Sequence, residues 1–299
     1  MHDVSIENER VKSVTPPFFP AAVSDTTRDQ LKRVFEAAAE HRVVVAVDLD
    51  GATLVREPAI HADVPREDVL ADSLMTIANF CPAGPITGRP FEFVKGALSG
   101  LIGENAPPYA FAITEAGAYE VNSTGDVVFC KKVDGLDELR EVFSRAVEEL
   151  PGAVIEEHTL CSLIVGLTKV NIRPAQEVLE HMEAVAKSAL NGHLAGEIVS
   201  GCHPGINVHL NLCPPDIHKG HAMQRVMDMP SAKDCLPVVI GDSAPDGEMF
   251  KIAERAGGVS IGVGPGAPAA TIHVNDYREA QAIVAKIATS VRTRIPAQP

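Results

Sequence analysis

Apolar and polar residues alternate along this chain in two rhythms. Residues 43–47 (VVVAV) form an unbroken apolar run that stops at Asp48, the pattern of a strand buried on both faces of a parallel sheet. Just before it, Leu31, Val34, Phe35 and Ala38 fall on one face of a helix spanning Asp29 to His41. A second helix is predicted from about Glu67 to Asn79, followed by a short apolar piece ending in ITGRP (86–90). Pro90 suits the first turn of a helix whose buried side carries Phe91, Val94, Leu98 and Leu101. AFAIT (110–114) then reads as another strand. Strands alternating with amphipathic helices predict an α/β fold with a doubly wound parallel sheet.

The rhythm changes after residue 118. A hairpin is predicted over 117–130 around the polar turn NSTGD, then a helix at about 136–150 and the strands AVIEE and LCSLIVG. A helix from Pro174 to about Leu190 and the strands EIVSG and INVHLNL complete an α+β block of antiparallel strands. The first pattern then returns: a helix at 216–228, the strand PVVIGD (237–242), a helix, the strand GVSIGV, a short strand near Ile272 and a closing helix at about 277–290. The expected organisation is an extension at 1–27, a core over 28–118 and 208–299, and an inserted domain over 119–207. An insertion with its two ends close together leaves the host domain intact.

Composition narrows the functional classes. Of the 299 residues 45% are hydrophobic and 22% charged, as in a globular protein, and the net charge of −14 argues against a nucleic-acid partner. No run reaches the 18 or more apolar residues of a transmembrane helix, and the polar N-terminus does not read as a signal peptide. A cytoplasmic protein with no membrane partner is expected, monomeric or homodimeric. The six cysteines form no C-x-x-C pair and read as reduced, buried thiols.

The chemistry lies at the strand ends. In open parallel sheets, ligands bind beyond the carboxyl ends of the strands. Here those ends carry Asp48 and Asp50, then Thr87, then Asp242, with Asp246 in the next turn. Any one of these aspartates could simply cap a helix. Converging together they would repel one another, and a hard divalent cation with oxygen ligands, Mg²⁺, would relieve that. His209, His218 and His221 look metal-like but lack a further ligand. The Gly-rich GVGPGAP (262–268) lacks the Lys of a phosphate loop.

The ordered set VVVAVDLDGATL, ITGR, HKG (218–220) and GDSAPDGEMF resembles the four motifs of the haloacid dehalogenase phosphatases. The resemblance implies a Rossmann-like core with an α+β cap, and an aspartyl-phosphate route through Asp48. It implies Asp50 as general acid and then base, and Thr87 and Lys219 as phosphate-binding groups. Asp48, the Asp50 carbonyl, Asp242 and Asp246 would organise Mg²⁺. Two departures stand out: Ala52 replaces the usual Thr, with Thr53 one place late, and Pro85 sits inside the strand before Thr87, predicting a short strand.

The position of the insert resembles the branch of that superfamily acting on sugar phosphates. Within it, GDSAPDGEMF, TEAGAYE (114–120) and GVSIGVG are most similar to trehalose-6-phosphate phosphatases. GAVIEEHTLCSLIV (152–165) matches their cap strand pair only in an acid and His158 and lacks their Tyr-Arg. The implied partner is a small phosphorylated sugar, trehalose 6-phosphate first. Sucrose-phosphate, mannosyl-3-phosphoglycerate and hexose-phosphate phosphatases share the same chassis. Gly88, Arg89, Glu157 and His158 join Thr87 and Lys219 as candidate substrate contacts, with Lys169, Arg173, His203 and Asn207 as further polar residues of the insert. A phosphomutase using the same Asp48, or a noncatalytic phosphosugar sensor, remain open alternatives.

Overall fold

The computed structural model describes residues 24–54, 68–98, 109–148, 153–155, 158–167, 184, 195–199, 208–213, 216–267 and 269–293. Helix α1 (Asp25–Ala39) begins four residues earlier than expected, because the Ser24 hydroxyl caps it by accepting from the Thr27 amide at 3.1 Å. Strand β1 (Val43–Val47), helix α2 (Asp68–Ala78), the short strand β2 (Ala83–Pro85), helix α3 (Phe91–Leu98) and strand β3 (Phe111–Thr114) follow. Next come β4 (Tyr119–Asn122), β5 (Val127–Cys130), α4 (Leu136–Glu148), β6 (Ala153–Ile155), β7 (Leu163–Leu167), β8 (Ala195–Val199) and β9 (Val208–Cys213). The chain closes with α5 (Lys219–Met227), β10 (Leu236–Gly241), α6 (Asp246–Arg255), β11 (Val259–Val263), β12 (Ile272–Val274) and α7 (Tyr277–Arg292). The helix expected from Pro174 to Leu190 falls, apart from Ala184, outside the described residues.

The parallel sheet runs β12-β11-β10-β1-β2. Its order follows from burial. Val43, Val45 and Val47 of β1 pack into one apolar cluster with α1, α2, α3 and α7. Val44 and Ala46 point the other way, into a cluster with Met223 and Val226 of α5 and Met249 and Phe250 of α6. A strand feeding two cores through its period-2 alternation has no solvent face, which is why VVVAV carries no polar residue. The sheet and its helices are therefore the α/β, doubly wound arrangement that the periodicity predicts, accompanied by antiparallel sheets.

Pro85 shapes the edge of this sheet. The Ile86 amide donates to Val47 on the β1 side, whereas the Thr87 amide donates to Ile113 on the β3 side. Alternation puts Pro85 on the β3 side, where it has no N–H to offer. Strand β3 accordingly meets this edge through an isolated Ile86–Ile113 bridge and pairs regularly with β4 instead. Strands β3-β4-β5 make one antiparallel sheet, and β6-β7-β9-β8 make another. The hairpin thus pairs with β3 and not with the four-stranded layer.

Gly84 permits the β2–β3 approach. A Cβ there would lie 1.8 Å from the Phe111 carbonyl oxygen. Gly84→Ala is expected to cost about 3 kcal/mol or more through forced backbone displacement, read as a lowered urea midpoint with an unchanged m-value. A shift within error would show that the two strands are free to part.

Candidate active site

Four buried charges meet at the carboxyl ends of β1 and β10. The Asp48 amide continues the β1–β10 ladder by donating to the Ile240 carbonyl at 2.8 Å. Its carboxylate lies 2.9 Å from the Lys219 Nζ, which also donates to Asp246 Oδ1 at 2.6 Å. Carboxylate oxygens of Asp48, Asp242 and Asp246 all lie within 4.8 Å of one another, and all three residues are buried. Lys219 is the first residue of α5 and Asp246 the first of α6, so two helix starts deliver the cation and the acid that grips it.

Asp246 organises its own turn. Its Oδ2 accepts from the amides of Asp242 and Ser243, both at 2.9 Å, and from the Ser243 hydroxyl at 3.0 Å. With Oδ1 on Lys219, this carboxylate is occupied by donors of the chain itself. Gly241 makes room for it, since a Cβ at that position would sit 2.5 Å from the Asp246 side chain.

One ammonium faces three carboxylates, and the electrostatics register the imbalance. Burial pushes the Asp48 carboxyl up to about 7; Lys219 opposes the shift, while Asp246 and Asp242 add to it. Burial by itself pulls the Lys219 ammonium down, but Asp246 and Asp48 outweigh it and hold its pKa above the ordinary lysine value. A hard divalent cation bound by oxygen ligands offsets this excess negative charge, so the residues present fit Mg²⁺.

Asp50 points to a different partner. Arg89 grips it in a two-pronged ion pair, Nε to Oδ2 at 2.6 Å and Nη2 to Oδ1 at 2.9 Å, with its guanidinium stacked 4.7 Å over Phe93. Of the two readings open for Arg89, contact with substrate or pairing with an acid, this structure shows the ion pair. Thr87 is buried with its hydroxyl accepting from the Arg89 amide at 3.2 Å, and Gly88 presents open space on the side a Cβ would occupy. The displaced threonine finds a role as well. The Thr53 hydroxyl donates to the Asp48 carbonyl at 2.5 Å, while Ala52 packs into the core. The turn through Gly51, at φ 75°, accommodates the shift.

Not every expected residue joins this cluster. Glu157 lies outside the described residues, as do Lys169, Arg173, His203 and Asn207. His158 sits exposed in a turn between β6 and β7. His218 caps α5, its Nδ1 accepting from the Gly220 and His221 amides at 3.1 and 3.3 Å, and its ring stacks on His221. The thiols also depart from expectation: Cys81, Cys161 and Cys213 are buried, but Cys130 is exposed and Cys235 half-buried.

Sequence reasoning missed Glu115. This fully buried residue and Ala116 adopt left-handed backbone, φ 51° and 58°. The Glu115 and Ala116 amides donate to the Arg89 and Thr87 carbonyls at 3.1 and 3.0 Å, bracing the loop that carries both residues. The Glu115 carboxylate reaches the other way. It accepts from the amides of Leu160, Cys161 and Ser162 at 2.7 to 2.8 Å and from the Ser162 hydroxyl at 2.8 Å. It therefore anchors the segment entering β7 to the loop beside Asp48. Left-handed Glu and Ala give no sequence signal, because neither residue type favours that conformation. Glu115→Gln would turn an amide N–H₂ toward donors already in place, and a loss of about 2 kcal/mol or more is expected. Urea unfolding checks this; full stability in the variant would show that water substitutes for the anchor.

No family model matches the chain. It is 24% identical over 266 residues to the probable trehalose-phosphate phosphatase C of Arabidopsis thaliana, covering 85% of this chain and 77% of that protein. The fold superimposes on the C-terminal domain of C. albicans trehalose-6-phosphate phosphatase with a TM-score of 0.63 at 16% identity, covering 87% of this chain and 97% of that one. A trehalose-6-phosphate phosphatase related protein gives 0.62 at 20% identity, covering 82% and 97%. A haloacid dehalogenase-like hydrolase from Bacteroides thetaiotaomicron gives 0.54 at 15%, covering 81% and 98%. The chain thus shares the fold of these structures, is similar in sequence to the plant trehalose-phosphate phosphatase, and carries a buried acid–lysine cluster at the carboxyl ends of its parallel strands.

Proposed function

We propose that the protein hydrolyses a sugar phosphate, with trehalose 6-phosphate the first substrate to test, through a phosphorylated Asp48. The observation that carries this reading is the Lys219 ammonium held between Asp48 and Asp246 with Asp242 alongside. That arrangement keeps a buried carboxylate beside a fixed positive charge where a phosphoryl group can meet it. The sugar assignment rests on likeness to the plant relative.

The residues divide the chemistry as follows. An Asp48 oxygen attacks phosphorus as the bond from phosphorus to the sugar oxygen breaks. Asp50 gives its proton to the departing alkoxide. It then takes a proton from water, which attacks phosphorus, releases inorganic phosphate and regenerates Asp48. Arg89 orients Asp50 for both transfers and must loosen its grip when the carboxyl carries the proton. The Thr87 hydroxyl and Lys219 ammonium supply donors to the phosphoryl oxygens. Asp48, the Asp50 carbonyl and Asp242 would hold Mg²⁺, with Asp246 aligning the Asp242 turn and Lys219. The ion, when bound, neutralises charge on the transferring phosphoryl group. Residues 119–207 would form the cap, and Glu157 and His158 would contact the sugar.

Phosphate release from a panel of sugar phosphates with Mg²⁺ tests the reading. Release confined to one or two sugars is expected, abolished by chelator and reduced roughly 10⁴-fold or more by Asp48→Asn. Asp50→Asn should retain label from a ³²P-substrate on the protein, since breakdown loses its base. Isomerisation of a hexose phosphate without phosphate release would replace hydrolysis by mutase chemistry, and unchanged activity in Asp48→Asn would end the nucleophile assignment.

The metal site has a readout independent of turnover. Millimolar Mg²⁺ should raise the melting temperature by about 3 °C or more, corresponding to saturation well above its dissociation constant. Asp242→Asn should lose that shift. Equal shifts in both proteins would place the ion elsewhere.

A further inference from the structure

Two cysteines far apart in sequence meet beside the Glu115 anchor. The Sγ atoms of Cys130 and Cys161 lie 3.3 Å apart, although 31 residues separate them. Cys130 ends β5, where it pairs with Tyr119 of β4. Cys161 is held on both sides: its amide donates to Glu115 at 2.8 Å and its carbonyl accepts from Val133 at 2.9 Å. Both backbones are thus fixed by hydrogen bonds while the two sulfurs touch. We propose that Cys130 and Cys161 form a reversible disulfide that fastens the β4–β5 hairpin to the segment entering β7.

The pair has the asymmetry that stepwise oxidation needs. Cys130 is exposed and Cys161 is fully buried. A small-molecule disulfide meets Cys130 first. The Cys130 thiolate attacks one of its sulfurs, forming a mixed disulfide and expelling one thiolate. Cys161 then gives up its proton and attacks the Cys130 sulfur, forming the internal bond and expelling the second thiolate. The protein loses two hydrogens and two electrons, and the small disulfide becomes two thiols. Burial holds the Cys161 thiol above its ordinary pKa, which slows the second step and favours a response to sustained oxidant. A disulfide needs sulfurs about 2.0 Å apart, and the Sγ atoms already lie at 3.3 Å.

The surrounding thiols do not compete equally. Cys213 shares the apolar cluster of Cys161, but its thiol is directed to the Ile217 carbonyl at 3.4 Å. Cys81 lies in the main core, a different apolar cluster from that of Cys161. The 130–161 bond would close a loop containing α4 and β6. It would act where the hairpin, anchored to α5 by Arg225 through Glu120 and the Gly117 carbonyl, meets the four-stranded layer. Neither cysteine belongs to the acid–lysine cluster, so the device does not depend on the reaction proposed above.

The test equilibrates the folded full chain with mixtures of oxidised and reduced glutathione, quenches with acid and maps peptides without reduction. Expected are a linked pair of peptides containing Cys130 and Cys161, a mass lower by two hydrogens and a melting temperature about 5–10 °C higher. Dithiothreitol should reverse all three. Cys161→Ser should stop at the mixed disulfide, carrying glutathione on Cys130. Cys130→Ser, altered at an exposed position, should form no link and show no shift. Absence of the 130–161 peptide in oxidised wild type, its appearance only in denaturant, or an unchanged melting shift in Cys130→Ser would each overturn the assignment.

Discussion

The arrangement of this molecule turns on one buried ammonium. Lys219 sits between Asp48 and Asp246 with almost no water around it. Removing such charges from water is costly, and mutual attraction compensates only when every partner is held in place. The structure meets that condition from three directions. The β1–β10 ladder fixes Asp48, the capped start of α5 fixes Lys219, and three donors of the 242–243 turn fix Asp246. Take Lys219 away and three buried carboxylates face one another without a compensating charge. The excess of carboxylates over ammonium suits the same site to a divalent cation.

A second constraint radiates from the 114–120 turn. Its left-handed residues brace the Thr87–Arg89 loop through backbone hydrogen bonds. Its Gly117 lets the start of α5 come close, since a Cβ there would lie 3.2 Å from the His218 carbonyl. The Glu115 carboxylate reaches the 160–162 segment, and Arg225 ties the hairpin back to α5 while stacking on Phe129. Conformations this unfavourable persist only where surrounding contacts over-determine them. The turn is therefore where the edge of the parallel sheet, the Thr87–Arg89 loop, the start of α5 and the segment entering β7 become mechanically continuous, and the thiol pair lies close by.

The Arg89–Asp50 pair shows how such continuity bears on chemistry. A carboxylate with the acid-then-base role proposed for Asp50 needs a partner that orients it in both protonation states. Arg89 touches Asp50 through both prongs yet remains at the edge of the site, partly open to solvent. Its backbone belongs to the loop that Glu115 braces. The orientation of Asp50 is thus coupled to the same turn that holds the segment entering β7.

Much of this was legible from the one-dimensional pattern. VVVAV followed by Asp48, and PVVIGD followed by Asp246, carried both strand and acid, because double burial removes polar residues from a strand and leaves them at its end. The four-motif order likewise implied that Asp48, Lys219, Asp242 and Asp246 converge. Other features had no local signature. Arg89 could face substrate or acid until the fold brought Asp50 against it. Thr53 was a misplaced threonine until the Gly51 turn carried its hydroxyl to the Asp48 carbonyl. Glu115 entered only as part of TEAGAYE, with no role of its own, and Cys130 and Cys161 as scattered thiols. Periodicity is decided by burial, a property each residue carries in its own side chain, so the sequence determined the elements and the acids at their ends. Pairings across 39, 46 or 31 residues depend on which chain segments pack side by side, and only the tertiary structure decided those.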